Sequence, residues 1–112
     1  MVTINIQIQP SLETKLNADW NTIEKEACQK ISQECLKIMK TEVPVDTGQL
    51  RDSLTINQDG EDDEITSSTS YWMYVNYGTS KQAPNPYIER SLSNLENQIN
   101  NIIIGILKSK GI

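Results

Sequence analysis

The sequence predicts a single α+β domain over residues 1–112, with a small antiparallel β-sheet packed against a long N-terminal helix and a C-terminal helix. Three observations carry this. Residues 2–9 alternate apolar and polar side chains without a break, the pattern of a strand with one buried face. Two long segments repeat apolar residues every three or four positions, the pattern of amphipathic helices. Between them, a second alternating run leads into Asp59-Gly60, a hairpin signal. At 112 residues the chain holds one domain, since two would each sit near the roughly 50-residue floor.

In the first strand, Val2, Ile4, Ile6 and Ile8 face one way and Thr3, Asn5, Gln7 and Gln9 the other. Pro10 ends it, lacking the N–H that a ladder needs. Ser11 is placed to cap a helix, with Glu13 in the first turn. The stripe Leu12, Leu16, Trp20, Ile23, Ala27, Ile31, Cys35 and Ile38 predicts a helix near 11–42. At 1.5 Å per residue it would be about 45 Å long. A globule of this size has a radius of gyration of about 13–14 Å, so one reading is that part of the helix overhangs the body or packs on a neighbouring subunit. A kink or an earlier end is the alternative.

Pro44 stops the helix. Residues 44–54 then read as a structured turn, in which Asp46 or Thr47 caps a short helical turn from Gln49 to Asp52 and Gly48 relaxes the backbone. Strands are expected at 53–58, with Leu54 and Ile56 inward, and at 64–70 around Ile65. The second is rich in Ser and Thr, so it is expected to be exposed or an edge. Tyr71, Tyr74 and Val75 share a short helical face. Asn85 is placed as the cap and Pro86 as the first residue of a last helix over 86–108. Its buried face is Ile88, Leu92, Leu95, Ile99, Ile102, Ile103 and Ile106.

Charge narrows the function. The net charge is -5, and residues 46–70 hold seven acids against the single Arg51. The acidic run Asp59, Glu61, Asp62, Asp63 and Glu64 reads as a solvated hairpin tip that DNA would repel. Its contiguous acids lack the alternating oxygen ligands, central glycine and closing glutamate of a calcium loop. Histidine is absent, which removes the commonest general base and zinc ligand. No enzyme activity, metal or cofactor is expected. Cys28 and Cys35 stand seven apart on one helix face, roughly 10 Å, too far for a disulfide. They are expected to be free and buried or half-buried, in a reducing compartment. No signal peptide and no membrane span are expected. Arg51 is read as one half of an ion pair with its neighbouring acids, or else with an acid of a next subunit.

Two segments resemble a known family. Pro44, Val45, Asp46, Thr47, Gly48, Leu50, Arg51 and Ser53 are similar to the signature turn of the small tail-component proteins of long-tailed phages, typified by gene product ten of phage HK97. Tyr71, Tyr74, Val75, Tyr77, Gly78 and Thr79, followed by Pro84, Pro86 and Tyr87, resemble a second motif of the same family. Trp72 stands where that family usually has a small residue, Asn76 where it has an acid, and Tyr87 where it has phenylalanine. The missing acid puts in doubt any intersubunit charge pair made from that position.

The resemblance implies a structural protein of the head–tail junction or upper tail, needed for tail completion or head–tail joining. It implies a six- or twelve-fold ring around the DNA channel, with tail terminator, stopper or tail-tube proteins as neighbours. Sequence-specific nucleic-acid binding and membranes are not implied, only non-specific proximity to channel DNA. The protein would occupy the host cytoplasm during assembly and the virion afterwards. The aromatic set would serve packing and interface. A tail terminator or stopper is the rival within this class, and a small cytoplasmic protein-binding regulator the rival outside it.

Overall fold

A computed structural model describes residues 1–5, 20–44, 48–58 and 62–111 of the chain. The elements in order are β1 (Val2–Ile4), α1 (Trp20–Glu42), α2 (Gln49–Ser53), β2 (Leu54–Asn57), β3 (Asp63–Ser67), α3 (Trp72–Tyr77) and α4 (Tyr87–Ser109). The fold is α+β, as expected. The predicted continuation of the first strand to residue 9 and the predicted helix start at residue 11 lie outside the described residues.

The three strands form one antiparallel sheet in the order β1-β3-β2. Val2 pairs with Ile65 and Ile4 with Asp63, while on the other side Leu54 pairs with Ser67 and Ile56 with Ile65. The Ser- and Thr-rich strand is therefore the centre of the sheet and not an edge. Its polar residues mark one open face, yet both of its hydrogen-bonding edges are occupied. Ile65 at its middle is fully buried, and Val2, Ile4 and Leu54 join it on the inner face.

The sheet lies on α1, and α4 packs along another side of the same helix. Being covered twice, α1 buries more than the predicted stripe: Cys28, Ser32 and Met39 are inside along with Ile23, Ala27, Ile31, Cys35 and Ile38, as is Val43 just beyond its end. Both cysteines are free and buried. The two long helices run antiparallel. Arg90 near the start of α4 reaches Glu42 at the end of α1, its Nε 2.9 Å from Oε2 and its Nη2 donating to the Glu42 carbonyl at 3.1 Å. That guanidinium satisfies a C-terminal carbonyl left over by the helix ladder. At the opposite end, Lys110 lies 3.1 Å from Glu26 and holds that carboxyl below its usual range.

The α4 face departs from the predicted one at Leu92, which is exposed, while Ser91 is fully buried and donates its hydroxyl to the Tyr87 carbonyl at 2.6 Å. The molecule is elongated, 55 × 26 × 21 Å, with a Cα radius of gyration of 16.5 Å. A main core joins the sheet, α1 and α4. A second, smaller cluster of Ile23, Ala27 and Ile106 closes the far end of the helix pair.

Candidate functional site

The two sequence motifs, about twenty residues apart in the chain, meet in space. Pro44, Gly48, Gln49 and Leu50 from the first and Tyr71, Val75 and Gln82 from the second line one groove of about 320 Å³. Gly48 occupies the N-cap position of α2 with φ 76°, in the left-handed region that favours glycine. Val45, Asp46 and Thr47 lie outside the described residues, and the cap expected from Asp46 or Thr47 is not the residue at that position. Leu50 is buried beneath the groove. Arg51 is half exposed and, among the described residues, pairs with the neighbouring carboxylate, Nε to Asp52 Oδ1 at 3.2 Å. Such an exposed pair adds little stability.

Ser53 has a role that the sequence pattern did not show. Its hydroxyl donates to the Leu50 carbonyl at 2.6 Å and lies 2.6 Å from the Ser67 hydroxyl, which in turn lies 2.9 Å from that of Thr69. This hydroxyl chain ties the first motif to the central strand and to the loop that leads into the second. The spacing of Ser and Thr on two strands of uncertain register could not have revealed it.

The second motif divides into an inner and an outer set. Tyr87 is fully buried, and its hydroxyl donates to the Trp72 carbonyl at 3.0 Å. Burial pushes that phenol up to about 12. Tyr71, Trp72 and Val75 are half-buried against the main core. Met73, Tyr74 and Tyr77 are exposed, at 45%, 56% and 62%. Residues 66–80 contain no charged side chain, so these three form an uncharged, largely aromatic face. Exposed aromatics of this kind suit protein contacts, where a ring can be buried and a hydroxyl can find a partner.

The loop behind that face is tightly made. Gly78 has φ 78°, and a Cβ there would lie 2.7 Å from the Pro84 backbone nitrogen and 2.9 Å from the Gln82 carbonyl oxygen. Any side chain is excluded both by conformation and by space. Thr79 follows with its hydroxyl accepting the backbone N–H groups of Lys81 and Gln82, at 3.2 and 3.1 Å. Pro84 and Pro86 are exposed, and Pro86 precedes α4 at its N-cap position without a side-chain cap; Asn85 is not the cap. The capping group comes instead from Asn76, buried in α3, whose Oδ1 accepts the Ile88 N–H at 2.9 Å. The replacement of an acid by Asn76 was visible in the sequence, but its partner was not.

The acidic hairpin also needs correction. Asp62 and Glu64 are exposed, and Asp62 accepts a hydrogen bond from Asn5. Asp59 and Glu61 lie outside the described residues. Asp63, however, is not on a solvated tip: it opens β3, is 5% exposed, and accepts the Gln58 side-chain amide at 3.1 Å. It alternates with Glu64, so one of the two must face inward, and the register gives that place to Asp63.

Among the described residues there is no group of three or more side chains suited to hold a metal ion, and no helix long and apolar enough to cross a membrane. A family model described as "Bacteriophage HK97-gp10, putative tail-component" matches residues 7–78. That span takes in the whole first motif and the second as far as Gly78. No curated protein and no solved structure matches the chain.

Proposed function

This chain belongs to the HK97 gp10-like family of phage tail components, and from that premise we propose that it is a structural, non-catalytic protein of the head–tail junction or upper tail of a phage or prophage particle. It completes the tail, or joins it to the head, as a ring of copies around the DNA channel. Its neighbours are the tail terminator, stopper or tail-tube proteins. It is assembled in the host cytoplasm and retained in the virion.

The observation that carries this reading is the family match across more than half the chain. Two features of the molecule support it. The motifs converge on one groove beside an uncharged aromatic face. The body is elongated, which suits heterologous contacts between successive copies, the kind that close into rings. Quantitative mass spectrometry of density-purified particles, scaled to the portal protein, tests the proposal. The expected result is about six or twelve copies per particle, the content of one six- or twelve-fold ring. Absence from intact infectious particles, with the protein left behind in the lysate, overturns it.

A further inference from the structure

The geometry points to Asn76 as a positioning residue, one that holds α3 on the start of α4 and thereby sets the direction in which Met73, Tyr74 and Tyr77 face. The inference deepens the proposed function and rests on it only where assembly is concerned. The anchoring itself is a property of the isolated chain.

The first N–H groups of a helix have no partner within it. At α4 the residue in the N-cap position is Pro86, whose side chain has no acceptor to offer. Asn76, 1% exposed, fills the gap from another element: its Oδ1 accepts the Ile88 N–H at 2.9 Å, and its Nδ2 donates to Glu89 Oε1 at 3.2 Å. A backbone donor on one side and a carboxylate on the other leave a single sensible orientation for the amide. Two further bonds hold α3 in place, from the Tyr87 hydroxyl to the Trp72 carbonyl and from the Asn85 N–H to the Val75 carbonyl at 2.9 Å.

The anchored positions are 72, 75 and 76, which share one side of a helix at three- and four-residue spacing. The exposed positions 73, 74 and 77 share the other. A six-residue helix does not persist by itself, since nucleation costs more than so few bonds return. The outer face therefore keeps its shape only while the inner one is held. Of the three anchors, Asn76 alone uses a side chain of α3.

Hydrogen exchange on the purified full chain tests this, with Asn76→Ala, Asn76→Asp and Asn76→Asp combined with Glu89→Gln. Asn76→Ala should speed exchange of the 72–78 amides and of Ile88 about tenfold, the effect of a lost cap, with α1 unchanged. Asn76→Asp keeps the acceptor but sets a second carboxylate beside Glu89, so its exchange should also rise. Adding Glu89→Gln restores a donor facing that carboxylate and should return exchange to near the wild-type rate. Unchanged exchange in Asn76→Ala, an equal rise in every helix, or no rescue in the double variant would each overturn the assignment. In particles, Asn76→Ala should be incorporated several-fold less than wild type, like Tyr77→Ala; full incorporation would refute the positioning role. Absence of the wild-type chain from particles counts against the proposed function alone, and the exchange result still decides the anchoring.

Discussion

Cys35 and Tyr87 are both fully buried, and neither makes use of its ionised form. Burial pushes the Cys35 thiol from 9.0 to about 11 and the Tyr87 phenol from 10.0 to about 12. Both acids thus keep their protons to higher pH when folded than when unfolded. Their stabilising contribution is complete below pH 9 and is lost as pH climbs from about 9 to 12, because the unfolded chain ionises first. Urea titrations at stepped pH should show stability falling by a few kcal/mol over that window, with Cys35→Ala weakening the part between 9 and 11. A flat profile up to pH 11 would contradict it. Single residues also mark the limit of what the sequence could show. The burial of Tyr87 was not separable from the exposure of Tyr77, because a short aromatic segment offers too few turns for a period to emerge. Asp63 was placed among its acidic neighbours by composition, whereas strand register turned it inward.

Periodicity reports which face of an element is buried, and by that signal α1, α4 and the strands were legible. It does not report edges. The central position of β3 depends on who pairs with it, and the partner β1 lies some sixty residues earlier. For the same reason, the cap that α3 supplies to α4 left no local trace. The contacts between elements also differ in weight. Arg90 joins two helices through a carboxylate and a helix-end carbonyl, with Asn94 donating to the other oxygen of Glu42 at 3.2 Å. Among the described residues Arg51 pairs with the adjacent Asp52, in an exposed pair. Arg90→Ala should therefore cost about 1–2 kcal/mol and Arg51→Ala less than about 0.5 kcal/mol. Chemical denaturation of both variants checks the order, and an equal effect would show that the helix-end contact carries no special weight.

At the scale of the molecule, the radius of gyration exceeds the roughly 13 Å of a compact globule of this length. Within the described residues α1 does not overhang the body, because α4 accompanies it to its far end, where Ile106 packs on Ile23 and Ala27; the predicted first turns from residue 11 lie outside the described residues. The two cores should then respond differently to truncation. Ile65→Ala, at the centre of the sheet, should cost about 3–4 kcal/mol and speed amide exchange throughout. Ile106→Ala, in the small distal cluster, should cost about 2 kcal/mol, the low end for a buried isoleucine, and speed exchange chiefly near Ile23 and Ala27. Matching exchange patterns would mean that the helix pair opens as one unit with the sheet.

The order of the strands carries a consequence for how the chain comes to be folded. β2 and β3 close a short loop, with Asn57 opposite Glu64, whereas β1 must span most of the intervening chain to reach Ile65. The difference in closure entropy is roughly 2 kcal/mol against β1, so the hairpin is expected to form first and β1 to settle on it last. The Cys28 thiol donates to the carbonyl of Ile4, at the end of that last strand, at 3.2 Å. Protection of Cys28 from a thiol reagent during refolding is therefore expected to lag behind formation of the β2–β3 hairpin, and simultaneous protection would contradict this order.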